Sequence, residues 1–251
     1  MGADRSRPSA ARGVSRHHRL GVRLDAGATV VVTGQVAHHL EHVLRLRLGD
    51  RFVGLGIGGE ARAVEVVAVG PLTVRVGVAV ELGADPVGRL EVWVPLLKGG
   101  RTDDLVRQLT ELGATRIVPW SGERSVVRLD AKRARDRVAR WQAIAREATS
   151  QCGRVAVPEV AAVAGLPTTG PGIFFWEEAR EPSRDVLATL GAAGDIAVLV
   201  GPEGGLSATE AEALVARGWR PAWLGPRILR AETAVIAAAT LALHALAEGG
   251  Y

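Results

Sequence analysis

The pattern of apolar residues changes near Arg89, and this change restricts the possible folds more than any other feature of the sequence. Between about Leu20 and Val80, short runs of β-forming residues are separated by Gly and Pro. After Arg89, apolar runs typical of buried strands alternate with segments of helical periodicity. Alternating strands and helices indicate a mostly parallel α/β sheet. The chain of 251 residues is therefore predicted to form a small β-rich domain followed by a larger α/β domain.

The β-rich part has the strand spacing of a small β-barrel. Its predicted elements are the strands Thr29–Thr33, Arg51–Leu55, Ala61–Val69 and Leu72–Val78 and the helix Gln35–Leu44. Residues 1–18 are polar, rich in Arg and without periodicity, so they are predicted to form a flexible basic arm. Residues 82–88 contain Asp85-Pro86 and are predicted to be a linker.

The α/β part alternates five predicted strands with four predicted helices. The strands are Leu90–Leu96, Arg116–Trp120, Ile173–Trp176, Ile196–Val200 and Pro221–Leu224. The helices are Thr102–Leu112, Ala131–Ser150, Ser207–Arg217 and Ala231–Ala247. Thr102 is the expected N-cap of the first helix, and Ser207 followed by Glu210 has the spacing of a capping box.

The composition excludes several classes of protein. No run approaches the roughly 20 uncharged apolar residues needed to cross a bilayer, and residues 1–18 lack the apolar segment of a secretory signal. The single cysteine, Cys152, excludes an internal disulfide framework and fits a reducing cytosol. His38 and His42 have a spacing that could serve a metal, but no third ligand accompanies them. We therefore expect a cytoplasmic protein with no membrane span and no metal.

The net charge of +4 is modest, but the basic residues are clustered. The segment Arg124–Arg154 contains nine basic and three acidic residues, and Met1–Arg23 contains six arginines and one acid. Both clusters could face a polyanion such as nucleic acid. A solvated helix face and a disordered tail would produce the same pattern.

The first of two distinctive loops is Gly201-Pro202-Glu203-Gly204-Gly205, between a predicted strand and the helix that starts at Ser207. In an open α/β sheet, ligands bind at the carboxyl ends of the strands. Glycines there allow the backbone to approach a ligand closely, and a helix N-terminus offers unpaired N–H groups. The loop lacks the spacing of both the Walker and the dinucleotide-binding motifs. A tight turn without a ligand remains the alternative interpretation.

The second loop also leads from a strand to a helix. It reads Leu224-Gly225-Pro226-Arg227-Ile228-Leu229-Arg230-Ala231-Glu232-Thr233-Ala234. Arginines at a helix N-terminus oppose the helix dipole, so they indicate an anionic ligand or a carboxylate partner. A surface pair between Arg230 and Glu232, of little energetic value, is the alternative.

Together these loops resemble the paired signature of the RsmE family, the 16S ribosomal RNA uridine N3-methyltransferases of the SPOUT superfamily. Further segments match in order: Ala37–Leu40, Val43–Leu46, Leu97–Gly99, Thr110–Gly113, Glu123–Val127, Glu147-Ala148, Gln151–Arg154 and Val157-Pro158. The resemblance runs from about Leu20 to Ala247. The chain departs from the family pattern at Arg107-Gln108, at Leu206 and at Arg19–Val22, which affects the expected RNA contacts rather than the two loops.

The resemblance implies a SPOUT α/β-knot methyltransferase domain over residues 89–251, with a deep C-terminal trefoil knot, and a PUA-like RNA-binding β-barrel over residues 19–81. It also implies S-adenosyl-L-methionine as cofactor and small-subunit ribosomal RNA as substrate. The implied cofactor-binding residues are Gly201, Pro202, Glu203, Gly204, Gly205, Leu224, Gly225, Ile228, Leu229, Thr233 and Ala234. The RNA-binding residues expected from the matched segments and the basic helix are Arg19, Arg45, Arg124, Arg133, Arg137, Arg140 and Arg154.

The implied reaction requires three functions of the protein. Uridine N3 has a pKa of roughly 9 and must lose its proton before it can attack a methyl group. The negative charge that develops must be stabilised, and Arg230 is the expected group. Glu203 or Glu232 is expected to accept the proton or to orient a water molecule, and the sequence does not choose between them. The alternatives are a non-catalytic RNA-binding protein, a SPOUT methyltransferase acting on another RNA, and a nucleotide-dependent enzyme.

The last predicted helix suggests a homodimer. Between Ala234 and Ala247 its strongly polar side chains are Thr240 and His244. A helix that is apolar nearly all round must be buried on most faces, and a two-fold partner is the simplest cover. The small residues expected to face a second helix are Ala237, Ala238, Ala239 and Ala242. The resemblance likewise implies a site beside a dimer interface.

Overall fold

A computed structural model describes residues 17–81, 88–168 and 170–249. Contacts divide the chain into two compact units, Met1–Gly83 and Ala84–Tyr251. Most of the predicted linker, residues 82–87, and most of the predicted arm, residues 1–16, lie outside the described residues. Among the helices of the described ranges, none is both long and apolar enough to span a bilayer.

The N-terminal unit contains a five-stranded mixed sheet. Its strands are β1 (His17–Arg19), β2 (Thr29–Val31), β3 (Arg51–Leu55), β4 (Ala61–Ala68) and β5 (Thr73–Ala79), in the order β1-β3-β4-β5-β2. β1 is parallel to β3, and the other neighbours are antiparallel. Helix α1 (Gly34–His38) continues as a π-helical turn over His39–Val43.

Alternating side chains of this sheet form the core of the N-terminal unit. Val64 and Val66 of β4 and Val74 and Val76 of β5 are all at most 2% exposed, as expected for strands with one buried face. The sequence does not predict strand β1, and it predicts that His17 and His18 belong to the arm. The strand is polar and pairs with β3 through its backbone, so its sequence carries no apolar alternation.

The C-terminal unit contains a six-stranded sheet in which all neighbouring strands are parallel. The strands are β6 (Arg89–Pro95), β7 (Arg116–Trp120), β8 (Glu159–Val160), β9 (Gly172–Phe175), β10 (Asp195–Val200) and β11 (Trp219–Ala222), in the order β11-β9-β10-β6-β7-β8. The helices are α2 (Arg101–Leu112), α3 (Ala131–Cys152), α4 (Ser183–Gly191), α5 (Ala208–Ala216) and α6 (Ala231–Gly249). The predicted parallel α/β sheet is confirmed.

The structure corrects several predicted boundaries. Helix α2 begins at Arg101, and its N-cap is Gly100 with φ +81°, a conformation that favours glycine. Thr102 is therefore inside the helix, where its buried hydroxyl accepts a hydrogen bond from Leu97 N at 2.9 Å. Strand β11 lies two residues earlier than predicted, and both β8 and α4 were missed.

Most of helix α6 is buried within the C-terminal unit. It packs against α4, α2, β10 and β6, and Ala238, Ala239 and Ala242 are 0% exposed there. These alanines therefore do not offer a surface to a second subunit, contrary to the prediction. The exposed side of α6 instead carries Leu241, which is 39% exposed, and Thr240.

The order of the strands brings three loops together. β9, β10 and β11 are adjacent and parallel, so their carboxyl ends lie at one edge of the sheet. The loops that follow these strands include both glycine-containing segments singled out in the sequence.

Candidate active site

A cavity of about 650 Å³ lies at this edge of the sheet. The loops that follow β9, β10 and β11 form its wall, together with Arg101 at the start of α2. Cavities of roughly 300–1,000 Å³ are typical of sites for small molecules and cofactors. The cavity is therefore the candidate ligand site of the C-terminal unit.

Nearly every site residue that the sequence predicts for the two loops lines the cavity. The predicted residues that line it are Gly201, Pro202, Glu203, Gly204, Gly205, Leu224, Gly225, Ile228, Leu229, Arg230, Glu232 and Ala234. Thr233 does not line the cavity. It lies in the first turn of α6, on the exposed side.

The glycine loop after β10 is a tight turn in which Gly205 N donates to Pro202 O at 2.9 Å. Gly205 has φ +72°, and a Cβ built there would lie 2.7 Å from Oε1 of Glu177. A Cβ at Gly204 would lie 2.9 Å from the Cβ and 3.0 Å from the carbonyl oxygen of Arg124. Gly204 therefore permits close approach of another protein segment, whereas the sequence suggested that it made room for a ligand.

Arg124 supports this loop directly. Its Nη1 donates to the carbonyl oxygens of Gly204 at 3.3 Å and Leu206 at 3.1 Å. The sequence predicted that Arg124 contacts RNA. In the structure its guanidinium satisfies carbonyl groups of the turn, and because the residue is exposed, its contact with RNA stays a prediction.

The capping box predicted at the start of α5 is confirmed. Ser207 Oγ accepts from Glu210 N at 3.1 Å, and Ser207 N donates to Glu210 Oε2 at 2.9 Å. Glu210 is 3% exposed, and its Oε1 also accepts from Glu123 N at 2.8 Å. This one carboxylate therefore fixes both the end of the glycine loop and the segment beside it.

Arg101 links the two loops, and sequence reasoning missed it. Its Nη2 lies 2.6 Å from Oε1 of Glu203, and its Nη1 lies 3.4 Å from Oε2 of Glu232. The available signal was its position, because Arg101 follows Lys98-Gly99 of a matched segment at the carboxyl end of β6. Trp176 and Glu177, from the loop after β9, were also missed.

Arg230 has no ion pair among the residues that the structure describes. It lies immediately before α6, and its carbonyl oxygen accepts from Ala234 N at 2.9 Å in the first turn. The alternative pairing of Arg230 with Glu232 is not formed, because Glu232 pairs with Arg101. The side chain of Arg230 is exposed at the cavity wall, where it is available to an anion.

Arg154 is buried, and this contradicts its predicted role in RNA binding. It is 8% exposed, and its Nη1 donates to the carbonyl oxygens of Thr110 and Ala114, each at 2.8 Å. Thr110 lies in the last turn of α2 and Ala114 lies two residues beyond its end, where a cation is favourable. Arg154 therefore joins α3 to α2 and does not face solvent.

The other predicted RNA-binding residues are distributed over both units. In the N-terminal unit, Arg19 lies in β1 and is partly buried, and Arg45 is exposed with φ +55°. In the C-terminal unit, Arg133, Arg137 and Arg140 are exposed on α3.

The two histidines singled out in the sequence stack on one another. The rings of His38 and His42 have centroids 4.4 Å apart. In the described parts of the chain, no group of three or more His, Cys, Asp or Glu residues could hold a metal ion.

Comparison with known proteins defines the class first. Residues 84–243 match the model of an RNA methyltransferase domain. The ribosomal RNA small subunit methyltransferase E of Mycobacterium bovis is 34% identical over 85% of this chain and 86% of its own length. The enzyme of that name from Bacillus subtilis is 29% identical over 84% and 88%. The chain therefore belongs to the ribosomal RNA small subunit methyltransferase E family of RNA methyltransferases.

A solved structure supports the same assignment. The ribosomal RNA small subunit methyltransferase E of Neisseria gonorrhoeae, bound to S-adenosyl methionine, has a TM-score of 0.73 and 28% sequence identity. The likeness covers 90% of this chain and 95% of that protein. The fold is thus a mixed α/β methyltransferase fold.

Proposed function

We propose that this chain is an S-adenosylmethionine-dependent methyltransferase that acts on ribosomal RNA of the small subunit. The cavity formed where the loops after β9, β10 and β11 meet carries this proposal. A non-catalytic RNA-binding protein would not require such a cavity. The structural relative from Neisseria gonorrhoeae binds S-adenosyl methionine.

The residues of the cavity fit this cofactor. The wall combines apolar side chains such as Phe175 and Leu224 with backbone groups of the two loops, which suits a ligand with an adenine ring and several polar groups. The indole nitrogen of Trp176, another residue of the wall, is buried without a hydrogen-bond partner among the described residues. Because this nitrogen has almost no accessible surface, it does not face the open cavity, and the contacts with the ligand are expected from the apolar side chains and backbone groups. When bound, S-adenosylmethionine supplies an electrophilic methyl group.

The chain's own side chains divide the remaining tasks. Arg230 is exposed and without an ion pair in the described residues, so it can stabilise negative charge on the target base. Glu203 and Glu232 are both held by Arg101. We propose that the methylated atom is N3 of a uridine in 16S ribosomal RNA, with one of these carboxylates, or a water molecule that it orients, taking the N3 proton.

Two finer features of the fold belong to the same proposal. A trefoil knot in the C-terminal unit is proposed from the resemblance of its two loops to the SPOUT signature. A PUA-like barrel in the N-terminal unit is supported by its five-stranded mixed sheet. We propose a cytoplasmic location, because the proposed substrate is small-subunit ribosomal RNA.

Methylation of isolated RNA tests the proposed function. Small-subunit ribosomal RNA or 30S subunits from a strain lacking this gene are incubated with the protein and labelled S-adenosylmethionine, then digested to nucleosides. We expect label in 3-methyluridine by mass spectrometry. Binding of NAD or ATP in place of the methyl donor, or label in a different nucleoside, would contradict the proposal.

Part of the RNA surface is proposed to lie on α3. At about 100° per residue, Arg133, Arg137 and Arg140 form one row on this helix, and Lys132, Arg135 and Arg146 form another. Arg137 and Arg140 lie beside Asp103 of α2, with Arg140 Nη2 2.8 Å and Arg137 Nη1 3.7 Å from its carboxylate. Asp103 and Arg101 share the first turn of α2 but point to different sides of it, since they are two residues apart. We propose the first row as the RNA contact because Arg133, Arg137 and Arg140 project together from one exposed face of α3.

Two triple variants, one for each row, distinguish an effect of where the charges lie on α3 from an effect of the net charge of the protein. The triple variant Arg133→Gln, Arg137→Gln and Arg140→Gln should lower RNA affinity and reduce the salt slope by up to about three, since each phosphate contact contributes about 0.9. Glutamine is preferred because a glutamate would repel Asp103 and disturb folding. The matched control, Lys132→Gln, Arg135→Gln and Arg146→Gln, should have a smaller effect. Equal effects of the two triples, measured by salt-dependent RNA titration, would exclude a specific contact at the first row.

We also propose that the protein is a homodimer. The exposed side of α6 carries Leu241, which is 39% exposed, with the partly buried Ala237 one turn before it. Apolar side chains at the surface of a helix can be buried against a two-fold partner. The proposed interface therefore uses this side of α6 and not the buried alanines.

A further inference from the structure

Arg101 is held in one orientation by three separate contacts. Its Nε donates to Lys98 O at 3.0 Å, while Nη1 and Nη2 reach the carboxylates of Glu232 and Glu203. A guanidinium presents its donors in a rigid planar fork, so engagement of all three nitrogens fixes its position. Gly100, with φ +81°, sets the start of α2 from which this side chain extends.

The two carboxylates belong to different loops of the cavity. Glu203 lies in the glycine loop after β10, and Glu232 lies in the first turn of α6, after the loop that follows β11. These residues are separated from Arg101 by 102 and 131 positions in the sequence. The guanidinium is therefore a bridge between two segments that local structure does not connect.

The ion pairs contribute more to position than to global stability. The side chains of Arg101, Glu203 and Glu232 are 36%, 30% and 28% exposed, and pairs of this exposure stabilise a fold by only about 0–1 kcal/mol each. The loops that they join, however, form the wall of the cavity. We propose that Arg101 is a positioning residue that holds the two loops at the separation required for binding the cofactor. This inference rests on the proposed function.

Calorimetric titration with S-adenosylmethionine and with S-adenosylhomocysteine tests this role without any catalytic turnover. Arg101→Gln should weaken binding of both ligands by about 10-fold, which is what the loss of two such pairs can cost. Arg101→Lys should weaken it by less, about threefold, because an ammonium is a point charge that cannot bridge both carboxylates as the fork does. The midpoint of thermal unfolding without ligand should fall by less than about 4 °C in either variant.

Arg107→Gln is the matched control, since Arg107 lies on the same helix and pairs with Asp104 at 2.8 Å, away from the cavity. This variant should bind both ligands as the parent does. A parent that binds neither ligand would overturn the proposed function itself. If the parent binds and Arg101→Gln binds equally well, the positioning role alone is overturned.

A double-mutant cycle identifies the groups through which Arg101 acts. In a background carrying Glu203→Gln and Glu232→Gln, the further change Arg101→Gln should alter the dissociation constant by less than about twofold, because no carboxylate remains to be held. The same change in the parent should give the full 10-fold loss. An equal loss in both backgrounds would show that Arg101 acts independently of the two carboxylates and would overturn the proposal.

Discussion

Replacement of Arg230 by Gln is expected to lower kcat for RNA methylation by about 10²- to 10³-fold. This is the usual cost of removing one group that stabilises charge developing in the transition state. Arg230 lies at the cavity wall, and the nearby carboxylates are engaged by Arg101, so its positive charge is not already neutralised. Affinity for S-adenosylmethionine should change by less than about threefold, because the negative charge is on the RNA base.

The pH dependence gives a second readout for Arg230. A nearby cation favours the deprotonated form of a bound uridine, which means that it lowers the pKa of N3. Without it, that pKa rises, so the kcat profile of Arg230→Gln should shift to higher pH relative to the parent. Arg230→Lys should retain part of the rate and of the shift, because it keeps the charge but not the planar fork.

Arg184→Gln serves as the control for Arg230. Arg184 is an exposed arginine at the start of α4 that pairs with Asp185, and it does not line the cavity. This variant should keep the parent's kcat and pH profile. Unchanged kcat in Arg230→Gln, combined with weaker cofactor binding, would show that Arg230 serves the cofactor and not the base.

The sequence predicted features that depend on local chemistry. The capping box at Ser207 and Glu210 needs only two residues three positions apart, and the structure has both of its hydrogen bonds. The two glycine-containing loops could likewise be found from strand, turn and helix signals, and both line the cavity. Each of these signals is contained within about ten residues, so no knowledge of the tertiary fold was required.

Features that depend on distant contacts could not be predicted in this way. Helix α4 has nine residues and depends on α6, since Gly191 packs so closely that a Cβ there would lie 2.6 Å from Ala245 O. A helix this short is marginal without tertiary packing. The sequence shows neither this contact nor the bridge from Arg101 to two loops more than 100 residues away.

Arg154 shows that a cluster of charges in the sequence does not reveal which of its members are buried. In the sequence it is the last residue of a basic cluster, and it is predicted to contact the phosphates of RNA. In the structure, Gly153 ends α3 with φ +83° and turns the chain so that Arg154 meets the carbonyls at the end of α2. Charge clusters identify a helix that could face RNA, but burial decides which members of the cluster do so.

A charged substitution in the middle of α6 is expected to unfold the C-terminal unit. Ala238 is 0% exposed, and α6 packs against α4, α2, β10 and β6. A glutamate there would be a buried charge in an apolar core, with too little space for its side chain. We expect Ala238→Glu to cost at least about 4 kcal/mol, a large part of the roughly 5–15 kcal/mol that stabilises a typical domain. Soluble yield and thermal denaturation measure this loss.

Leu241→Glu separates dimerisation from folding, because Leu241 lies on the exposed side of the same helix. It should leave the thermal stability of the subunit within about 1 kcal/mol of the parent while light scattering at micromolar concentration shows a monomer. Val215→Glu, at a 52% exposed position of α5, introduces the same charge elsewhere and should leave a dimer. A dimeric Leu241→Glu would remove this side of α6 from the proposed interface, and a folded, monomeric Ala238→Glu would contradict the burial of α6 within its own subunit.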